Sequence, residues 1–197
     1  MYLPKFQPQL NRGTPVPGRT TGSRDCGPRT WQMGVDFLTK GELVPTIRDL
    51  RDRANVEGPQ PTSILDAQRA VESYVNIRGR RPLRYAPKSS VADVRTAVRA
   101  GRFVQCAIDY GKWNALLART GDPDYGDGHS IGVLGFRMEE QPQWLTWDPL
   151  CDGRRDGIPR GPVWVFAWKV IDALEAFTPG AGIQAGVFYG GQLRERR

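Results

Sequence analysis

The chain has 197 residues and a net charge of +7, a size that suits one domain with a real core and no need of disulfides or metals to staple it. Its three cysteines, Cys26, Cys106 and Cys151, form no C-x-x-C pair, which argues for a reducing compartment and against a disulfide framework. Lys5, Lys40, Lys88, Lys112 and Lys169 are the lysines among 28 basic residues and Arg supplies the rest; such a bias is partly a codon effect, so the charge is discounted as a sign of nucleic acid.

The start, Met1 to Phe6, lacks the apolar run of a signal peptide, and no stretch is long enough to cross a bilayer. A soluble protein made without export is expected, cytoplasmic or virion-associated, with no membrane partner. Residues 1–22 are rich in Pro and Gly among polar residues and show neither helical nor strand period, so they read as an extended arm. Free termini fray unless something holds them. This arm and the basic tail Arg194 to Arg197 are therefore the expected contacts to neighbouring subunits of an assembly.

Cys26 comes next, in Asp25-Cys26-Gly27-Pro28, where a polar loop opens an apolar helix running through Trp31, Val35 and Leu38 to Lys40-Gly41. A helix N-terminus carries unpaired N–H groups and partial positive charge, which bias a thiol toward thiolate. Pro28 is tolerated in the first turn, and Gly27 is read as letting a substrate backbone approach the sulfur. Most free cysteines are simply small buried hydrophobes.

A short helix is expected at 46–51, then one from Ile64 to Tyr74 capped by Thr62 or Ser63. Arg78-Gly79-Arg80-Arg81 reads as a solvated turn, Leu83 to Ala86 as a short strand, and Val91 to Ala100 as a helix ended by Gly101. Strand period then takes over, with Val104, Cys106 and Ile108 on one buried face. Gly111 to Gly128 is expected to be a long loop. Its Asp122, Asp124 and Asp127 fail the spacing of a calcium loop, and the three cysteines with His129 lack paired zinc spacing. No metal and no cofactor is expected.

His129 is the one histidine, at the head of a strand running to Phe136. A polar turn follows, and Trp144 to Trp147 returns antiparallel, bringing Asp148 back toward His129, where a carboxylate that orients an imidazole belongs. Beyond it come a loop from Cys151 to Gly161, a strand from Val163 to Trp168, a helix from Val170 to Phe177, and a Gly-rich tail with a strand at Gly186 to Tyr189.

Asp25-Cys26-Gly27-Pro28, Gly128-His129-Ser130-Ile131 with Gly135-Phe136, and Trp147-Asp148-Pro149 together resemble papain-like cysteine peptidases, in particular the bacteriocin-processing, double-glycine branch. The resemblance spans roughly residues 23–175. It implies an α+β fold in which an N-terminal helical part carrying the Cys helix packs on an antiparallel sheet carrying His and Asp. It further implies Cys26 as nucleophile, His129 as general base and acid, Asp148 as its orienter, and a peptide or protein substrate. The domain is drawn over 23–178, with the arm before it and the tail 179–197 after it.

The family's upstream Gln has no counterpart, since Thr20, Thr21, Gly22 and Ser23 fill that stretch. A hydroxyl of Ser23 or Thr21 is the candidate replacement as oxyanion donor. Losing such a donor typically costs about a hundredfold to a thousandfold in rate. A papain-like structural component without catalysis, such as a phage virion protein, is therefore the alternative, and a basic nucleic-acid-binding domain is a second one that lacks any recognisable motif. Gly190-Gly191 has the form of a double-glycine site, but the chain running on to Arg197 argues against self-cleavage there.

Overall fold

The computed structural model describes residues 3, 25–57, 60–77, 80–118, 128–149 and 161–191. Its first helix, α1 (Cys26–Thr39), starts and stops at the expected signals. Pro28 lies in the first turn, where its missing N–H would have met no carbonyl. At the far end Lys40 adopts left-handed backbone, φ 52°, and the Gly41 N–H returns to the Asp36 carbonyl at 3.0 Å, a closure that satisfies the last carbonyls. Nearly every residue from Gly27 to Thr39 is buried. So close is the packing that a Cβ on Gly34 would come within 2.5 Å of the Phe188 ring.

Thr46 caps α2 (Ile47–Ala54), and Ser63 with Asp66 forms a capping box on α3 (Ile64–Glu72). After β1 (Arg84–Lys88), α4 (Val91–Arg99) and β2 (Val104–Asp109) come α5 (Tyr110–Leu116), β3 (Gly128–Met138), β4 (Pro142–Trp147), β5 (Val163–Phe166), α6 (Ala167–Phe177) and β6 (Ala185–Tyr189). The strands form one antiparallel sheet in the order β1-β6-β2-β3-β4-β5. Because successive strand residues face opposite ways, the sheet separates two cores. Val104, Cys106, Ile108, Ile131, Val133 and Trp144 pack against α4, α5 and α6. Phe103, Leu134, Leu145, Trp147 and Phe188 pack against α1, α2 and α3. The expected α+β class is therefore present, with the Cys helix on the sheet that carries His129. Trp31, Trp113, Trp144 and Trp147 are fully buried anchors of these cores, each removing roughly 200 Å² from water, worth about 5 kcal/mol before ordering costs.

Four expectations are corrected. The stretch after Gly111 is not loop from its start, because α5 occupies it and the Asp109 carboxylate accepts the Lys112 N–H at 2.6 Å. The helix is short, and its buried side is Tyr110, Trp113 and Asn114. Trp168 belongs to α6 rather than to a strand, since pairing with β4 runs out at Gln143 opposite Phe166. Arg80 is not solvated: it is 3% exposed and binds the Glu42 carboxylate, Nε to Oε2 at 2.6 Å, and the Gly191 carbonyl. The ion pair and the carbonyl bond offset part of the cost of its burial. Finally, β6 lies inside the sheet between β1 and β2, so residues 185–189 belong to the fold and not to a tail.

Gly190 and Gly191 follow at φ 85° and 70°, and a Cβ on Gly190 would lie 2.0 Å from the Pro82 carbonyl oxygen. The paired glycines thus meet a backbone need as the chain leaves β6. Among the described residues no helix is long and apolar enough to cross a membrane. Residues 192–197, and all of the arm but Leu3, lie outside the described residues.

Candidate active site

Cys26 is the first residue of α1, and the segment that presents it is held from three sides. Asp25, the N-cap, makes no side-chain cap bond. Its Oδ1 instead accepts Arg51 Nε at 3.0 Å and Nη2 at 2.7 Å, while Arg51 Nη1 donates to the Gln60 carbonyl at 3.2 Å. The start of α1 is thereby tied to α2 and to the loop before α3. Thr30 Oγ1 lies 2.8 Å from the Cys26 carbonyl and 3.1 Å from the Ser130 carbonyl, which joins the first turn of α1 to β3. The Cβ position of Gly27 is 2.2 Å from Thr62 Oγ1. Packing against Thr62 thus explains this glycine where the sequence pointed to substrate approach.

His129 stands at the head of β3 and Asp148 just past the end of β4. His129 Nε2 and Asp148 Oδ1 are 2.7 Å apart, with both side chains sealed from solvent. A one-residue irregularity makes this possible. Val133 faces Thr146 but Gly135 faces Leu145, so Leu134 is an extra residue in β3, a β-bulge. In an unbulged ladder continued from Phe136 opposite Trp144, Asp148 would keep the Trp144 face but His129 would fall on the other one, turned to α1. The bulge shifts the register by one and brings His129, with Ile131 and Val133, to the face that Asp148 shares with Trp144.

The electrostatics follow from that burial. Burial pushes the Cys26 thiol up, but the hydrogen bond and charge of His129, with the N–H groups of Ser130 and Gly27, outweigh it and leave the thiol below its ordinary value. For His129, burial favours the neutral ring, yet the adjacent Asp148 carboxylate and the Cys26 sulfur push its pKa up to about 10. An imidazolium beside a thiolate is the charge state this geometry favours. With Nε2 taken by Asp148, Nδ1 is the nitrogen available to the thiol. Cys106, buried in an apolar core, is pushed up to about 12 and is inert by comparison.

The structure thus brings Cys26, His129 and Asp148 together. Ser23 and Thr21, the oxyanion candidates, lie outside the described residues, as do Asp122, Asp124, Asp127 and Cys151. Three contributors escaped the sequence reading. Arg51 looked like any charge on a short helix. Gln105 looked like a polar residue in a strand, yet it is 4% exposed, accepts Trp31 Nε1 at 3.1 Å and the Tyr85 hydroxyl at 2.8 Å, and donates to Ser130 Oγ at 2.9 Å. It so links α1, β1 and β3 beneath the site. Trp113, from α5, donates Nε1 to Asp148 Oδ2 at 3.1 Å. The available signal for α5 was Asp109 as a cap, with Tyr110, Trp113 and Leu116 at helical spacing after it.

This arrangement of helices on an antiparallel sheet, with Cys on the first helix and His and Asp on neighbouring strands, is the papain-like fold. Comparison of the sequence with family models and with curated proteins finds no match. Solved structures of C39 peptidase domains do match. One is the peptidase domain of Streptococcus ComA, a bifunctional ABC transporter involved in quorum sensing, with 14% identity and a TM-score of 0.50, covering 96% of this chain and 98% of that one. Another is described as a C39-like peptidase from Bacillus anthracis, with 13% identity and a TM-score of 0.56 over 93% of each chain. The likeness is one of fold.

Proposed function

We propose that this protein is a cysteine peptidase-like hydrolase that cleaves a peptide or isopeptide bond through Cys26, His129 and Asp148. The observation that carries the reading is the convergence of a helix-opening thiol, lowered in pKa, on an imidazole whose other nitrogen meets a buried carboxylate 2.7 Å away. Asp148 keeps a proton on His129 Nε2, so Nδ1 accepts the proton of Cys26. The thiolate attacks the carbonyl carbon, and the oxyanion is held by the Cys26 N–H at the open end of α1 together with a hydroxyl from Ser23 or Thr21. His129 then protonates the leaving amine as the C–N bond breaks. Water, deprotonated by the same ring, hydrolyses the thioester and restores the thiol.

A papain-like structural component without catalysis is the reading to be beaten. Its supports, the Pro-rich arm and the missing upstream Gln, concern residues outside the described ones. The basic charge speaks little for nucleic acid, since the buried guanidinium groups of Arg51 and Arg80 are spent on ion pairs within the fold. The test is digestion of a peptide library, with new amino termini read by mass spectrometry. Cleavage by the wild type that is lost in Cys26→Ala supports the hydrolase. No cleavage at any pH from 6 to 9, with identical peptide profiles for both proteins, overturns it.

A further inference from the structure

The helix α5 supplies a part of the site that a Cys, a His and an Asp do not account for. Trp113 is fully buried and its Nε1 donates to Asp148 Oδ2 at 3.1 Å, while Asp148 Oδ1 faces His129 Nε2 at 2.7 Å. Each carboxylate oxygen therefore has its own partner, from a different element. Tyr110, one turn earlier, sets its ring against the His129 ring, with centroids 4.9 Å apart and planes at 67°. The shelf carrying both aromatics is fixed at its two ends. Asp109 caps its start through the Lys112 N–H, and Lys169 Nζ from α6 donates to the Leu116 carbonyl at 2.7 Å.

We infer that Trp113 is a positioning residue of this site: its indole N–H locks the rotation of the Asp148 carboxylate so that Oδ1 stays on His129. The inference rests on the hydrolase reading above. A carboxylate that loses a donor turns more easily about its last bond, and in a dry site it gains by taking up a proton. A second, charge-assisted hydrogen bond opposes both. His129 then keeps the Nε2–H tautomer, and Nδ1 stays turned to the thiol.

The experiment is the rate of Cys26 alkylation by iodoacetamide from pH 5 to 10, read residue by residue by mass spectrometry, in wild type, Trp113→Phe, Asp148→Asn and His129→Ala. Phe keeps an aromatic ring, a smaller one, and removes the donor. For Trp113→Phe the rate near pH 6 is expected to fall by roughly tenfold, the cost of one hydrogen bond to a charged group, with the profile displaced toward that of Asp148→Asn and the rate regaining the wild-type value at high pH. A purely structural effect lowers the rate alike at every pH. A Trp113→Phe profile that superimposes on wild type, or one uniformly lowered, overturns the inference. Should the Phe variant not fold, benzothienylalanine at 113, which keeps the shape of indole without its N–H, gives the same reading. If wild-type Cys26 reacts no faster than a free thiol and is indifferent to His129→Ala, the hydrolase reading itself falls, and this inference with it.

Discussion

His129 Nε2 and Asp148 Oδ1 meet at 2.7 Å at the open end of a hairpin whose register is displaced by one residue at Leu134. The carboxylate is the main reason that the ring is basic, and so it links folding to pH. His129 has a folded pKa of about 10 against an ordinary 6.5. A group raised on folding contributes stability in full below its unfolded value and loses it as pH rises through its folded value.

The first prediction uses this sign. In a Cys26→Ser background, which removes the thiolate, Asp148→Asn is expected to lower stability by about 1–3 kcal/mol at pH 6. The deficit is expected to shrink steadily toward pH 10. Urea unfolding at several pH values measures it. A deficit that grows with pH would show that the ring is neutral in the folded protein.

Cys26 follows the opposite arithmetic. Its pKa lies below the ordinary 9.0 because the charge and hydrogen bond of His129 outweigh burial. His129→Ala removes the two largest lowering contributions and leaves burial opposed only by the Ser130 and Gly27 N–H groups. The pH midpoint of Cys26 alkylation is expected to move up in that variant, above that of an exposed thiol. Cys106, inert in its core, serves as the internal reference in the same spectra.

Arg51 is expected to matter for both fold and reactivity. Arg51→Met leaves the Asp25 carboxylate without its guanidinium partner, one residue from the sulfur. A loss of about 1–3 kcal/mol in denaturant unfolding is expected, together with slower Cys26 alkylation at neutral pH, since an unpaired anion opposes the thiolate. Arg51→Lys is expected to recover part of the stability and little of the bidentate geometry.

Gly27 tests the assignment of a motif residue to packing. Gly27→Ala places a methyl 2.2 Å from the present position of Thr62 Oγ1, an overpacking worth about 1–3 kcal/mol. In a Thr62→Ala background the penalty is expected to fall below half. A double-mutant cycle reads the coupling directly, and additive losses would show that Gly27 is needed for some other reason.

Much of this molecule is local and therefore written in the chain. The Pro28 and Lys40-Gly41 ends of α1, the caps Thr46, Ser63 and Ser90, and the alternation of Val104, Cys106 and Ile108 are short-range signals. Their physics involves neighbours a few residues apart. The same holds for the hairpin that returns Asp148 toward His129. What the tertiary structure decided is what depends on partners far along the chain. The helical state of Tyr110 to Leu116 comes from burying Trp113 against Asp148, 35 residues away. The burial of Arg80 comes from Glu42, 38 residues earlier, and from Gly191 at the far end of the described chain. That His129 emerges on the same face as Asp148 was set by a single extra residue at Leu134. Alternation in a strand has period two, so a slip of one reverses every side chain beyond it. Gly132 and Gly135 flank the bulge and are its only hint in the sequence, and they do not say on which residue the register slips.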